Sequence, residues 1–187
     1  MVFIGVTAIA NGFIKDGVNN WLPKLLRDEF SVDDSLSIIL TLMLPVFSIF
    51  GSLFARKVYL KLSNHLLVNG IFYGGAFVLA LIVYLIYPMR SVALTMVLFI
   101  GLAFIMAAVN NVITGMFPLD NRDYMDSGFL AGLLDALCYV GSSAAGILLG
   151  AMSQNLGWSS VLITLFILSG VSTLVCLCWT HFTKKKA

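Results

Sequence analysis

Six long apolar stretches, separated by short polar segments, dominate the pattern of hydrophobic and polar residues along this chain. Each holds roughly the 20 residues that an α-helix needs to cross the hydrocarbon core of a bilayer. Lipid offers no hydrogen-bond partner to an open backbone, so the predicted structure of each stretch is a helix. We predict membrane spans at Val2–Trp21, Ser35–Phe54, Leu66–Tyr87, Ser91–Met116, Ser127–Met152 and Trp158–Thr180.

The composition agrees with a protein that lives in a bilayer. Of the 187 residues, 60% are hydrophobic and only 11% are charged, whereas about a quarter of a soluble domain is charged. The connections between the stretches are short and contain no linker. We therefore predict one all-α domain over residues 1–187, a polytopic bundle of six transmembrane helices in which neighbours in sequence pack antiparallel.

The lysines and arginines outside the spans are unevenly distributed between the two sides of this predicted bundle. Seven lie on one side and three on the other, and the side with more of them is expected to face the cytoplasm. We therefore predict a plasma-membrane protein with both termini in the cytoplasm, the lipid bilayer as a partner and no nucleic-acid partner. The seven are Arg56, Lys57, Lys61, Arg122, Lys184, Lys185 and Lys186; the three are Lys24, Arg27 and Arg90.

Three ionisable residues fall inside predicted spans: Lys15, Asp16 and Asp135. Such groups are costly in hydrocarbon, and they mark functional or paired positions by default. For Lys15 and Asp135 two compatible interpretations stay open. The pair could be a structural ion pair between the first and fifth spans, or Lys15 could contact an anionic substrate while Asp135 titrates or releases it. Asp16, nearer the outer boundary, is predicted to be solvated or to cap.

Asparagines extend the polar surface around Lys15. Asn11, Lys15 and Asn19 recur every four residues, so they share one face of the first helix. The fourth span adds Asn110 and Asn111. A polar face this broad is predicted to meet water, a substrate or another protein surface rather than lipid.

The fifth predicted span is rich in small residues. Gly128 and Gly132 are four residues apart, and so are Gly146 and Gly150. Small residues at this spacing let helix backbones approach closely, which is how helices pack inside a membrane. The pattern predicts a tightly packed helix rather than a binding site.

The sequence contains no Gly-rich phosphate loop, no nucleophile beside a base and no cluster of histidine and cysteine ligands. Its three cysteines, Cys138, Cys176 and Cys178, lie in apolar spans without metal-ligand spacing. We interpret them as small packing residues. We therefore predict that the protein is not an enzyme and that it has no disulfide, no metal and no cofactor.

The run from Asn11 to Leu26, with Lys15, Gly17, Trp21 and Pro23, resembles the seventh helix of the major facilitator superfamily, and most closely its organophosphate:phosphate antiporter branch. Weaker similarity continues along the chain, in register with helices seven to twelve. The later matching positions include a reduced copy of the basic loop between paired helices, in which Ala55 replaces the acidic residue. These positions are Gly51, Arg56-Lys57, Gly128-Phe129, Gly132, Tyr139-Val140-Gly141 and Gly157-Trp158.

The resemblance implies the carboxy-terminal six-helix half of a secondary carrier. Such carriers bind solute near the midplane between two halves, so it implies a missing amino-terminal half as partner and transport by alternating access. Lys15 falls where the phosphate-ester transporters place a substrate-binding arginine, which implies a small anionic organic solute. The predicted substrate-binding residues are Lys15, Asn11, Asn19, Asn110 and Asn111, and the predicted coupling or ion-pair residues are Asp135 and Asp16. The alternative is a membrane sensor or an assembly module that does not transport.

Overall fold

The computed structural model describes residues 2–62 and 64–184, with side chains described for 3–62 and 64–180. Within these residues the chain is helical and contains no β-strand. A 3₁₀ turn at Tyr87–Met89 follows the fourth helix, and a π-helical segment at Asn111–Met116 follows the fifth. The helices are α1 Val2–Phe30, α2 Asp34–Thr41, α3 Met43–Leu62, α4 His65–Ile86, α5 Val92–Asn110, α6 Phe117–Asp120, α7 Ser127–Asn155 and α8 Trp158–Lys184.

Helix α1 is longer than its predicted span, because it continues through Pro23 to Phe30. A proline inside a helix removes one backbone hydrogen bond, here the one to the carbonyl of Asn19. Packing offsets the loss, since Leu22, Leu25 and Leu26 beyond the predicted end are at most 2% exposed. The segment after Trp21 is therefore helix as far as Phe30 rather than a connecting loop.

The second predicted span is divided into α2 and α3, which meet at Leu42. Pro45 explains the break, because its ring clashes with a helical carbonyl four residues earlier, at Thr41. Asp33 caps α2, accepting a hydrogen bond from the Ser35 N–H at 3.1 Å. Helix α3 then runs to Leu62, so the basic residues predicted in a loop lie on its last turns.

A proline also reshapes the end of the fourth span. Between α5 and α6 the chain widens into the π-helical segment Asn111–Met116, one turn before Pro118. The wider turn accommodates a proline ring that would otherwise strike the carbonyl of Thr114. π-helical turns of this kind are rare and occur often at functional sites.

The helices pack mainly with partners distant in sequence. The most extensive contacts join α1 to α7, α4 to α8 and α3 to α5. The predicted packing of sequence neighbours holds for α4 and α5, which share an extensive contact, but it does not hold for α7 and α8, which share only a small one. Short connections decide where a helix begins, whereas side-chain complementarity decides which helices pack.

Helices α1 and α7 approach each other backbone to backbone. A methyl group added at Gly12 would overlap the Cys138 carbonyl oxygen, and one at Gly141 would overlap that of Ile9. The close packing predicted for the fifth span is therefore present, but it does not use all the predicted glycines. Gly132 and Gly146 face open space, with nothing within 4 Å of an added methyl. Close packing requires a small residue where two helices cross, and regular spacing alone does not locate that point.

Membrane-spanning character follows from the length and composition of the helices. Among the described residues five stretches qualify: Asp34–Leu62, His65–Met89, Val92–Asp120, Ser127–Asn155 and Trp158–Thr180. Helix α1 is not among them, because its polar face interrupts the apolar run. It nevertheless packs parallel to α7 along much of its length, from Gly5 against Leu137 to Trp21 against Gly150. The chain is a multi-pass helical membrane protein.

Candidate functional site

A polar cleft of about 310 Å³ opens between α1, α3 and the end of α5. It lies on the face of α1 that the repeat of polar residues predicted. Lys15 is the charged residue of its lining, and the surrounding side chains are amides, hydroxyls and small apolar groups. The lining consists of Lys15, Asn19, Pro45, Ser48, Ile49, Ser52, Ala107 and Asn110.

Lys15 forms an ion pair with its neighbour in sequence rather than with α7. Its Nζ lies 3.8 Å from Oδ1 of Asp16, with side chains 28% and 21% exposed. Within the described residues Asp135 has neither an ion pair nor a hydrogen bond, so the structure does not bring it to Lys15. Asp16, for which solvation, capping and an ion pair were all predicted, contacts the cation. Lys15 remains accessible to the cleft because an ion pair at this distance is loose.

Asn11 lies behind the cleft rather than in its lining. It is fully buried, and its Nδ2 donates to Asn110 Oδ1 at 2.8 Å and to Cys138 Sγ at 3.8 Å. Because the Asn110 oxygen accepts from Asn11, the amide nitrogen of Asn110 is the atom left for the cleft. That nitrogen has only a long contact, 3.5 Å, to Thr114 Oγ1. Asn11 therefore orients Asn110 as a donor.

Asn19 and Asn111, predicted to share one site, lie in different places. Asn19 lines the cleft, and its Oδ1 is buried without a partner among the described residues. Asn111 begins the π-helical segment and lines a second groove of about 400 Å³, together with Arg56 and Asp120. The structure thus brings Lys15, Asn19 and Asn110 together and separates Asn111 from them.

Two polar residues of the cleft were not predicted: Ser48 and Ser52, on α3. The Ser48 hydroxyl donates to the Leu44 carbonyl at 2.9 Å and lies 3.4 Å from the Ala103 carbonyl. The Ser52 hydroxyl lies 3.2 Å from the Ser48 carbonyl and 3.5 Å from that of Ala107. Serines are common in membrane helices, so only their four-residue spacing beside Gly51 could have drawn attention to them.

A separate cluster fixes the far end of α1. Lys24 Nζ lies 5.4 Å from the Trp21 ring and 5.7 Å from the Trp158 ring, within the range of cation–π attraction. It also donates to Ser153 Oγ at 3.1 Å. Trp158 Nε1 donates to Asp28 Oδ2 at 3.3 Å. Lys24 is thus committed to holding α1 against α7 and α8, whereas Lys15 faces the cleft.

The described residues contain no group of three or more histidine, cysteine or acidic side chains close enough to hold a metal ion. Cys138 and Cys176 are buried, Cys178 is exposed, and all three are free thiols. The chemistry of the cleft is therefore that of an ammonium, amides and hydroxyls. This set can bind a polar organic molecule through charge and hydrogen bonds.

Comparison with solved structures finds a membrane protein with a similar arrangement of helices. Among solved structures, the chain is similar to a bacterial homologue of the iron transporter ferroportin in an outward-facing state, with a TM-score of 0.70 and 13% sequence identity. The match covers 96% of this chain and 44% of that one, so the chain spans less than half of its structural neighbour. The likeness shows that this chain has the helical fold of one part of that protein. No protein-family model matches the sequence. No curated protein sequence matches it either.

Proposed function

We propose that this chain is the carboxy-terminal half of a secondary active transporter that moves a small anionic organic solute by alternating access. The observation that carries the proposal is the position of Lys15, a cation on a membrane helix that lines a polar cleft. A charged side chain at this depth is costly unless it is paired or used. Asp16 pairs with it only at 3.8 Å, which leaves the ammonium able to bind a ligand.

The polarity of the cleft favours an anion over a metal cation. Lys15 and the Asn110 amide nitrogen are both hydrogen-bond donors, and they suit the oxygens of a carboxylate or a phosphate ester. The structural neighbour is named as a homologue of an iron transporter. In this chain the ammonium would repel a metal ion from the same place. Phosphate esters are the class that the resemblance of residues 11–26 suggests.

A second half would complete the site. The cleft is open, and solute in carriers of this fold binds between two halves. The α2–α3 span is the least enclosed of the five apolar stretches, with 17% of its most apolar window buried. We infer that an amino-terminal six-helix half covers the cleft, and that rocking of the halves exposes it to each side in turn. The same proposal places both termini in the cytoplasm at the plasma membrane.

Uptake by the complete protein in proteoliposomes tests this function. We expect accumulation of radiolabelled small organic anions from a panel of phosphate esters and carboxylates, driven by exchange or by an ion gradient. Neutral and cationic analogues of the same size should neither enter nor compete. Specific binding of an anion without any uptake would favour the alternative, a membrane sensor, and the absence of both would contradict the proposal.

Asp135 is the candidate coupling residue, since its half-buried carboxylate has no partner among the described residues. We expect Asp135→Asn to change the pH dependence of uptake while substrate binding persists, because the amide cannot gain or lose the proton. The measurement is uptake rate against pH for both proteins. Asp123→Asn is the control, since that carboxylate is exposed and pairs only with Arg122 at 3.9 Å. Superimposable pH profiles of Asp135→Asn and wild type would remove Asp135 from coupling.

A further inference from the structure

We propose that Ser48 and Ser52 determine specificity, selecting organic anions that also carry hydroxyl groups. The inference rests on the proposed function, because it assigns the solute class of the same cleft. Both serines line the cleft opposite Lys15, one turn apart on α3. Neither was singled out by the sequence, and neither is charged, so their contribution lies in hydrogen bonding.

The hydroxyl protons of the two serines are already used. Ser48 donates to the Leu44 carbonyl at 2.9 Å, and Ser52 lies in donating distance of the Ser48 carbonyl at 3.2 Å. A hydroxyl has one donor and two acceptor lone pairs. What each serine can offer to a ligand is therefore an acceptor oxygen, and the matching ligand group is a donor.

The crossing of α3 and α5 holds these oxygens in place. A methyl group at Gly51 would overlap the Phe104 carbonyl oxygen and lie 2.8 Å from its carbonyl carbon. The two backbones are thus in contact between the serines, which puts the serine hydroxyls within 3.5 Å of α5 carbonyls. Because the two backbones touch at this crossing, α3 cannot rotate about its own axis. The backbone of α3 therefore fixes the direction of the serine oxygens.

The two sides of the cleft therefore differ in polarity. On the α1 and α5 side, Lys15 and the Asn110 amide nitrogen donate; on the α3 side, the serine oxygens accept. A solute that matches both sides has an anionic head and hydroxyl donors a few bonds away. A hydroxylated phosphate ester or hydroxy acid fits, and a simple alkyl phosphate or fatty carboxylate leaves the acceptors unsatisfied.

Paired probes that differ only in hydroxyl groups test the inference in proteoliposomes holding the complete carrier. Glycerol 3-phosphate is compared with propyl phosphate, and glycerate with propionate. We expect wild type to prefer the hydroxylated probe by roughly three- to tenfold for each hydroxyl bound. Ser48→Ala/Ser52→Ala should reduce that ratio toward one, and Ser48→Thr/Ser52→Thr, which keeps both hydroxyls, should restore it.

Ser143→Ala is the matched control, because Ser143 donates to the Tyr139 carbonyl at 2.9 Å in the same way but lies outside the cleft. Its ratio should equal that of wild type. A serine that merely fastens helices would change total activity and leave the ratio intact, so an unchanged ratio in the double alanine variant would overturn the inference. Equal uptake of both probes by wild type would also overturn it, while the proposed function would stand. If no anion is taken up by the proteoliposomes, both the inference about the serines and the proposed function are overturned.

Discussion

Replacing Lys15 by alanine is expected to remove substrate binding while the protein still inserts and folds. Lys15 is the charged residue among the described residues that line the cleft, so its loss leaves an anion facing amides and hydroxyls there. A hydrogen bond to a charged group contributes about 1.5–3 kcal/mol, and an anion deprived of it should bind roughly ten- to a hundredfold more weakly or worse. Equilibrium binding of the transported anion, together with uptake rate, measures the effect.

Three further variants show whether the charge itself is responsible. Lys15→Arg keeps the charge and should retain most binding, with altered preference because guanidinium grips oxygens in pairs. Lys15→Ala leaves the Asp16 carboxylate beside the cleft unpaired, so Lys15→Ala/Asp16→Asn removes that second effect. Lys61→Ala removes an exposed lysine from the end of α3 and should behave as wild type.

The variants distinguish loss of the Lys15 charge from repulsion by Asp16 as the cause of weaker binding. If the double variant recovers binding, repulsion by Asp16 rather than loss of the ammonium caused the defect, and Lys15 is not an anion contact. Undiminished uptake by Lys15→Ala would likewise remove Lys15 from the site. Loss in both the single and the double variant, with retention in Lys15→Arg, is the result that the cleft geometry requires.

The helical fold could be predicted because it follows from the length of the apolar stretches. Any run of about 20 apolar residues must become a helix in a bilayer, and all regular secondary structure in the described residues is helical. The ends of the helices were less predictable. At Pro23 the packing of Leu25 and Leu26 overrides the proline, whereas at Pro45 no comparable burial spans the break, and the helix divides.

The direction of the polar face of α1 could be predicted, but the burial of each residue on that face could not. A four-residue repeat places Asn11, Lys15 and Asn19 on one face, but they differ in surroundings according to where α5 crosses α1. At that crossing Asn11 is fully buried and bonded to Asn110, while Lys15 remains half-exposed in the cleft. Periodicity contains no information about the crossing point, because it depends on residues in another helix.

The partner of Lys15 was not predictable for a similar reason. Estimating depth from helix rise brought Asp135 to a height that a lysine could reach. It did not account for the directions in which the two side chains leave their helices. In the structure Asp16 meets the ammonium at 3.8 Å, although adjacent residues on a helix point roughly 100° apart. The long, flexible side chain of lysine allows a loose pair of this kind.

Substituting alanine for Gly12 is expected to destabilise the chain by roughly 3 kcal/mol or more, because overpacking against backbone cannot be relieved by a side-chain rotation. The added methyl would overlap the Cys138 carbonyl oxygen and lie 2.8 Å from its Cα. Separating α1 from α7 would also pull Asn11 away from Cys138 Sγ. Thermal unfolding of detergent-solubilised protein, followed by the monodisperse fraction, measures the loss. Gly141→Ala, on the opposite side of the same crossing, should behave alike.

Gly132→Ala is the matched control, since it makes the same substitution on α7 where an added methyl meets nothing within 4 Å. Alanine is the better helix former by about 1 kcal/mol in a helix interior, so this variant should be as stable as wild type or slightly more so. The contrast tests whether the crossing, rather than glycine content, holds α1 in place. If Gly12→Ala and Gly132→Ala unfold at the same temperature, the backbones are not in contact, and the orientation of Lys15 toward the cleft loses its structural basis.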